Sequence, residues 1–393
     1  MLGGDDFRAD VVFAALARRP DGAAVLALAD SGVAVVGGFV RDTLLGIEPR
    51  ELDVVVEGDA EAFARRLGGS VVVTHAAFGT ARAVGDGWSI DVAAARRERY
   101  PRPGALPLVE PATLTEDLAR RDFGANAVAV TLAGGDLLAA AGALEDLAER
   151  RLRALHDRSF IDDPTRVMRL ARYRHRLGFT VDAATAALAD AATLDTLSGA
   201  RVTAELRLAL LEPDPLAPLA DLQGKLPIVV DRALVERALA LTPADADRQL
   251  VILGAIVANL PASDWVDSLE LTAYERRVLE RAGQAERLAA QIAAAGSASA
   301  LRDALRGVPP EAVAIAGAFG PVAGARRWLE ELRGVELEIG ARLERTLRRK
   351  LDGQLTAGRA AELASALEEG SGSRPLGGCP RPAPLDTTSG DCL

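Results

Sequence analysis

Two carboxylates near the N-terminus have a spacing that suits metal chemistry. Glu51 and Asp53 are two residues apart in the run ELDVVV, whose β-branched residues predict a strand. Side chains two apart on a strand point to the same face, so the two carboxylates are expected side by side. Such a pair repels unless a divalent cation lies between its members, and Mg²⁺ prefers oxygen ligands of this kind. The spacing therefore indicates an Mg²⁺ site with Glu51 and Asp53 as its ligands.

A glycine pair precedes this strand. Gly37 and Gly38 follow the apolar run VAVV and precede FVRDTLL, which predicts a strand, a tight turn and a short helix. Without Cβ atoms, the backbone N–H groups of such a turn can approach a phosphate closely. Arg41, one turn into the helix, would add a positive charge for a triphosphate. A Gly-Gly pair alone is more often a plain turn, so the phosphate interpretation depends on the carboxylates that follow.

A third carboxylate, Asp91, lies in a separate predicted strand, WSIDVA. It would complete a carboxylate cluster if its strand lies beside that of Asp53, as in sites that hold two divalent ions. The alternative is an ordinary solvent-facing position on a strand.

The elements that must position these residues divide the chain. β-branched runs separated by helical stretches predict an α/β unit, whereas the later Ala/Leu/Arg periodic segments predict helices and no strand after about residue 144. The predicted strands are 33–36, 52–56, 70–74, 88–93 and 126–132, with a helix at 59–67. We predict an N-terminal helical extension (1–30), a head (31–148), a helical neck (149–215), a helical body and tail (216–369) and a disordered C-terminus (370–393).

Composition restricts the class of protein. The chain has 393 residues, a net charge of −10, and its two cysteines in the last fifteen residues, which predicts no disulfide framework and a cytoplasmic location. Its three scattered histidines predict no zinc site, and no apolar run is long enough to span a membrane. The acidic balance argues against a nucleic-acid partner. However, nine arginines against three aspartates lie between 150 and 176, which indicates a local basic stripe. GC-rich coding explains Arg in place of Lys, but not this clustering.

Several longer segments resemble one known family. In chain order they are GGFVRDTLLG (37–46), ELDVVVEGD (51–59), FGTA (78–81), IDVAAARRERY (90–100), LTEDLARRDFGANA (114–127) and SFIDDPTRVMRLARYRHRLGF (159–179). This set is similar to class II tRNA nucleotidyltransferases and bacterial poly(A) polymerases, which belong to the polymerase β-like nucleotidyltransferase superfamily. The resemblance covers about residues 30–215. It implies an α/β head with a mixed sheet, followed by an all-α neck, body and tail.

The resemblance implies a role for each matching residue in the head. The glycine turn, two arginines and three carboxylates would contact the nucleotide or the metal. The nucleotide-binding residues would be Gly37, Gly38, Arg41 and Arg121, the metal ligands Glu51 and Asp53, and the third catalytic carboxylate Asp91. Asp122 and Asn126 would order the site.

The resemblance also implies a base-reading segment in the neck. Asp163 and Arg166 would read the incoming base, and Arg169 and Arg172 would hold phosphate or ribose. Adenine and cytosine both present an amino donor beside a ring-nitrogen acceptor, which a carboxylate and a guanidinium match. Uracil and guanine reverse that pattern and would leave buried groups unpaired, at about 1–3 kcal/mol each. The simpler role of Asp163, before Pro164, is that of a helix cap, and both roles are compatible.

The implied reaction is in-line attack by an RNA 3′-hydroxyl on the α-phosphate of ATP or CTP, with Mg²⁺ and release of pyrophosphate. The implied partner is tRNA, through its 3′ end and acceptor arm. Addition of CCA is the first hypothesis, and addition of A alone, or poly(A) synthesis, are alternatives.

The chain departs from the family pattern at several positions. Glu51 replaces the usual Asp, Gly124 and Ala125 replace a Thr and an apolar residue, and the turn AAAGALEDL (139–147) lacks an Asp and a Gly. These departures leave open a further alternative, an RNA-binding protein with weakened or lost catalysis.

Overall fold

The computed structural model describes residues 7–75, 78–258, 260, 264–333, 342–343, 345–346, 349 and 365–366. The described chain divides into two compact units. The first comprises residues up to Glu205 together with Glu212–Asp221, and the second comprises Leu206–Leu211 and the described residues from Leu222 onward. The boundaries predicted for head, neck and body stay predictions. The C-terminus predicted as disordered, 370–393, lies outside the described residues.

The first unit begins with two helices and continues as alternating strands and helices. Its elements are α1 (Ala9–Ala17), α2 (Pro20–Leu26), β1 (Val33–Val36), α3 (Gly38–Leu44), β2 (Asp53–Val56), α4 (Ala60–Arg66), β3 (Ser70–His75), β4 (Thr80–Gly85), β5 (Trp88–Ala94), β6 (Arg96–Arg99), β7 (Leu108–Pro111), α5 (Leu114–Ala119), β8 (Val128–Thr131), β9 (Leu137–Ala139), α6 (Ala143–Ala148), β10 (Arg151–Leu152), α7 (Ser159–Asp162), α8 (Thr165–Leu177), β11 (Thr180–Val181), α9 (Ala183–Ala191) and α11 (Leu216–Asp221). The helix α10 (Gly199–Leu210) belongs to the first unit up to Glu205 and to the second beyond it.

A mixed sheet forms the centre of this unit. Among the described residues its strand order is β3-β4-β5-β2-β1-β8-β9, with β2 parallel to β5 and the other neighbours antiparallel. The predicted α/β head with a mixed sheet is confirmed, and each predicted strand is present within one or two residues at its ends. The strand β4 was not predicted because its inward residues are alanines, which lack the β-branched signal.

The expectation of helices alone after residue 144 is wrong in one detail. The strands β10 and β11 pair in parallel over two residues each. Runs this short are below the length at which an alternating pattern can be recognised.

One face of the sheet packs against α5. Leu114 and Leu118 of this helix are buried with Val36, Val55 and other residues of the central strands. The helix begins with a capping box in which Thr113 and Glu116 satisfy each other's backbone N–H groups. Because Arg120, Arg121 and Asp122 follow α5 directly, burial of this helix places them near Asp53 at the start of β2.

The second unit is helical in its described residues. After α10 its helices are α12 (Arg232–Leu241), α13 (Arg248–Val257), α14 (Asp264–Ser268), α15 (Ala273–Ala282), α16 (Ala285–Ala294), α17 (Ala298–Ala304), α18 (Pro310–Ala318) and α19 (Val322–Arg327), followed by a π-helical segment, Trp328–Leu332. The helix α18 packs against α12, α13, α15 and α16. No helix in the described part of the chain combines the length and the apolar character that crossing a membrane requires.

A buried carboxylate ties three helices of this unit together, and it yields a stability prediction. Glu311, at the start of α18, is 2% exposed and accepts hydrogen bonds from the backbone N of Asp247 at 2.9 Å and the hydroxyl of Tyr274 at 2.7 Å. Glu311→Ala leaves both donors without their partner, which we expect to lower the free energy of unfolding by about 2–4 kcal/mol in urea titrations. The control is Glu286→Ala, at an exposed position of α16. Equal effects of the two substitutions would contradict this role of Glu311.

Candidate functional site

Three charged side chains form a row across neighbouring strands of the first unit. The parallel register of β2 and β5 places Asp91 opposite Asp53, and the antiparallel register of β4 and β5 places Arg82 opposite Asp91. Residues that are directly opposite each other share a face of the sheet. That face is the one covered by α5, because Val55, two residues after Asp53, lies in the α5 core. The row formed by Arg82, Asp91 and Asp53 therefore lies at the border of the sheet face that α5 covers.

The carboxylate of Asp53 is electrostatically strained in this position. Burial, and after it the negative charges of Asp91 and Glu51, raise its pKa from 3.8 to about 6, against the opposing charges of Arg121 and Arg169. The strand β2 begins at Asp53, so the prediction that Glu51 and Asp53 share a strand is wrong. Glu51 lies in the preceding loop and is exposed. Its charge nevertheless acts on Asp53, so the two carboxylates remain neighbours.

The donor set fits a hard divalent cation. Mg²⁺ needs only one or two carboxylates, since waters and substrate phosphates complete its shell. Within the described ranges, no three side chains of His, Cys, Asp or Glu converge closely enough to hold a metal together. Asp91 is instead engaged by Arg82, whose Nε and Nη2 donate to its two carboxylate oxygens at 2.6 and 2.7 Å. Glu51 and Asp53 are therefore the residues that would hold Mg²⁺.

The glycine turn gives room to a guanidinium. Gly37 has a φ of +63°, which favours glycine, and a Cβ added there would lie 2.9 Å from Nη1 of Arg121. Nη2 of Arg121 donates to Oδ2 of Asp117 at 3.1 Å, and Asp117 also pairs with Arg120 at 2.6 Å. Asp117 is 1% exposed and was not among the predicted site residues. Its spacing of four residues from Arg121, at the end of α5, is the signal that could have identified it.

Arg41 lies behind this turn and is 1% exposed. Its guanidinium pairs with Asp42 at 2.6 Å, donates to Oδ1 of Asn126 and lies 5.6 Å from the ring centre of Tyr173. A Cβ added at Gly38 would lie 3.6 Å from Nη2 of Arg41. Arg41 thus supports the turn from the protein side, and its predicted contact with a nucleotide stays a prediction.

The two predicted base-reading residues are buried and engaged within the first unit. Oδ1 of Asp163 accepts from the backbone N of Thr165 at 3.0 Å, which caps α8, and from Nη2 of Arg201 at 2.6 Å. Arg166 donates to Oγ of Ser159 and to the carbonyl oxygen of Arg120, both at 2.7 Å. The side chain of Asp163 accepts from the first N–H of α8, as a cap does, whereas the N-cap position itself is Pro164. Base reading stays a prediction. It requires Asp163 and Arg166 to give up some of these hydrogen bonds and form new ones with the base.

Arg169 and Arg172 are held by carboxylates. Nε of Arg169 donates to Oδ2 of Asp122 at 2.8 Å, while Arg172 pairs with Glu205 at 3.4 Å and with Glu212 at 3.7 Å. Burial raises the pKa of Asp122, but the charge of Arg169 and other donors outweigh it and lower that pKa to about 2. The positive charge of Arg169 also lowers the pKa of Asp53, so this guanidinium lies near the carboxylate row. Arg172 is farther into the protein, and its predicted contact with phosphate or ribose stays a prediction.

The charge of the basic stripe predicted at 150–176 is largely compensated in the structure. Most of its arginines form ion pairs inside the first unit, including exposed ones such as Arg158 and Arg174. The pairs are Arg151 and Arg153 with Asp146, Arg158 with Asp162, Arg169 with Asp122, Arg172 with Glu205 and Glu212, Arg174 with Asp221, and Arg176 with Asp42.

One departure from the family pattern has a structural explanation. Gly124 begins the short 3₁₀ turn Gly124–Asn126, and a Cβ added there would lie 2.1 Å from Oδ2 of Asp146 on α6. The carboxylate of Asp146 is fully buried and pairs with Arg151 and Arg153, both at 2.8 Å. The glycine therefore makes room for a buried carboxylate beneath the turn that carries Asn126.

Comparison with known proteins shows which sequences and structures this chain resembles. Residues 33–153 match the poly A polymerase head domain. The A-adding tRNA nucleotidyltransferase of Geobacter sulfurreducens is 46% identical over 203 residues, which are 49% of this chain and 23% of that protein. The CC-adding tRNA nucleotidyltransferase of Deinococcus radiodurans is 45% identical over 197 residues, which are 47% of this chain and 52% of that protein. The chain thus matches about half the length of these relatives, or less.

A solved structure described as the complex of a CCA-adding enzyme with ATP has a TM-score of 0.66 to this chain. It is 27% identical and the match covers 90% of this chain and 98% of that chain. Residues 33–153 are thus similar to the poly A polymerase head domain, and the resemblance to the nucleotidyltransferase family inferred from the motifs is confirmed.

The raised pKa of Asp53 predicts a pH-dependent stability defect in the metal-free protein. A carboxyl group with a raised folded-state pKa contributes stability below pH 4, and this is lost as the pH rises through about 6. Asp53→Asn has no charge to ionise, so in EDTA it should be more stable than the wild type at pH 8, by at most about 3 kcal/mol. This difference should vanish near pH 4. Urea unfolding of both proteins across this range measures it, and a pH-independent difference would contradict the assignment.

The packing of Gly124 predicts a steric defect. Gly124→Ala should lower the free energy of unfolding by about 1–3 kcal/mol, because the added methyl group overlaps the carboxylate of Asp146. Gly296→Ala is the matched control, since a Cβ at Gly296 meets nothing within 4 Å. The double variant Gly124→Ala/Asp146→Ala should lose less stability than the sum of its single changes. An additive double variant would show that the two residues are not coupled.

Proposed function

We propose that this chain is a template-independent tRNA nucleotidyltransferase that adds CCA to the tRNA 3′ end from CTP and ATP, with Mg²⁺ and release of pyrophosphate. The observation that carries the proposal is the placement of Asp53 beside Glu51 and Asp91, next to a glycine turn and the guanidinium of Arg121. The names of the relatives and of the structural neighbour support the same activity.

Different residues of this chain would bind the metal and the phosphates. Mg²⁺ held by Glu51 and Asp53 would activate the attacking 3′-hydroxyl and neutralise charge on the α-phosphate. Arg121 stands beside the glycine turn with Asp117 fixing its orientation, so its guanidinium is positioned for phosphate oxygens that lie over Gly37. Arg169 adds a second positive charge on the same side, because it acts on Asp53 while Asp122 holds it. Catalysis would thus come mainly from positioning and charge neutralisation.

The neck would select the base. Asp163 and Arg166 offer the acceptor and the donors that adenine and cytosine require, and both sit in a buried setting where an unmatched base is costly. The tRNA would bind by shape and backbone contacts, and its 3′ end would reach the carboxylate row. A cytoplasmic location stays a prediction.

Addition of A alone is the second candidate. The relative from Geobacter sulfurreducens, at 46% identity, is named an A-adding enzyme, whereas the one from Deinococcus radiodurans, at 45%, is named a CC-adding enzyme. The two identities are nearly equal, so they do not separate the two activities.

One assay distinguishes these activities. Purified protein with Mg²⁺ is given tRNA that ends before CCA, after C or after CC, with CTP and ATP supplied separately. We expect CTP to extend the first two substrates and ATP to extend the CC-ended one. Extension of the CC-ended tRNA alone identifies the A-adding enzyme, and long A tails on any RNA identify a poly(A) polymerase. Measurable tRNA binding without extension of any substrate would contradict the proposal and support the RNA-binding alternative.

The metal ligands predict a specific loss of activity. Asp53→Ala should reduce the extension rate at least about a hundredfold, since the substitution removes a proposed metal ligand rather than a supporting group. Asp86→Asn is the matched control, because Asp86 is an exposed residue in the β4–β5 turn of the same sheet. The rates are measured at saturating nucleotide on the best tRNA substrate. Full activity of Asp53→Ala would show that the metal site lies elsewhere.

A further inference from the structure

A bidentate ion pair lies at the edge of the carboxylate row. Nε and Nη2 of Arg82 donate to Oδ1 and Oδ2 of Asp91 at 2.6 and 2.7 Å. The side chain of Arg82 is 14% exposed and that of Asp91 is 34% exposed. Arg–carboxylate pairs with two parallel hydrogen bonds are among the strongest and most directional in proteins. Asp91 is therefore oriented toward β4 by this contact.

The register of the sheet makes this pair part of the site. Arg82, Asp91 and Asp53 are consecutive members of one row across β4, β5 and β2. The charges in the row are positive, negative and negative. Arg82 pairs with Asp91, which leaves Asp53 and Glu51 available for a cation. The absence of a three-ligand cluster in the described part of the chain agrees with this division.

We propose that Arg82 withholds Asp91 from the metal, so that Asp91 is a positioning residue for a fixed guanidinium and the divalent cation is held by Glu51 and Asp53 alone. The inference rests on the proposed function only in requiring a cation at Asp53. In this proposal Arg82 supplies the positive charge beside Asp91 that a second cation would otherwise supply. Asp91 is therefore not a third metal ligand. A cross-strand pair that only stabilises the sheet would have no such effect on metal binding.

The test is direct titration of Mn²⁺ into the full chain, measured by isothermal calorimetry and by the free-ion electron paramagnetic resonance signal. No tRNA or nucleotide is present. Arg82→Gln frees Asp91 to act as a ligand and removes a positive charge, so we expect roughly tenfold tighter binding of Mn²⁺. The double variant Arg82→Gln/Asp91→Asn replaces the charged pair with a neutral one of the same shape. Since the pair carries no net charge and supplies no ligand, the double variant should bind Mn²⁺ within about threefold of the wild type.

Two outcomes would overturn the inference. A tenfold loss of affinity in the double variant would show that Asp91 is already a ligand in the wild type. Unchanged affinity in Arg82→Gln, with lowered thermal stability, would show a structural pair only. Arg97→Gln is the matched control, because Arg97 pairs with Glu116 at 3.3 Å in the same unit at an exposed position.

A further variant separates this inference from the proposed function. Asp53→Asn should abolish Mn²⁺ binding in the same titration. If Asp53→Asn binds Mn²⁺ like the wild type, the metal site and the proposed function fail together. If Asp53→Asn loses binding and the double variant loses it as well, only the role of Arg82 fails.

Discussion

The repulsion among carboxylates at the start of β2 is the interaction on which the site depends. The parallel register of β2 and β5 places Asp53 opposite Asp91, and Glu51 adds its charge from the preceding loop. The packing of α5 on the sheet buries this region and brings Arg121 against the glycine turn. Holding several negative charges together at a partly desolvated position lowers the stability of the fold, unless a cation and a substrate bind there. The rest of the head acts to keep this arrangement in place.

Much of the head could be predicted because its central strands are apolar and β-branched. The position of Glu51 could not, because the strand β2 starts only where β1 offers a partner. Val36, the last residue of β1, pairs with Asp53, and the glycine turn follows it directly. The Arg82–Asp91 pair could have been predicted from the sequence. The dipeptide Asp86–Gly87 is a strong hairpin signal, and a two-residue turn there fixes the register that joins Arg82 to Asp91.

In the neck, the helix could be predicted from the sequence but the partners of its arginines could not. The helix α8, with Asp163 as its cap, follows from local sequence, and so does the spacing of its arginines. Their partners do not, because Glu205 and Glu212 lie more than thirty residues away and only the packing of α10 and the following loop brings them in. The need for glycine at position 124 could not be predicted either, because it comes from contact with the carboxylate of Asp146 on α6. Departures from a family motif therefore reflect changed packing as readily as lost chemistry.

The central claim is that a divalent cation binds at Asp53 and Glu51 while Asp91 stays with Arg82. The most direct measurement is the anomalous difference map of a crystal of the full chain grown with Mn²⁺ and a non-hydrolysable ATP analogue. The account predicts a Mn²⁺ peak within coordination distance of oxygens of Asp53 and Glu51, with the Arg82–Asp91 pair intact. A peak on Asp91, or none beside Asp53, would contradict it.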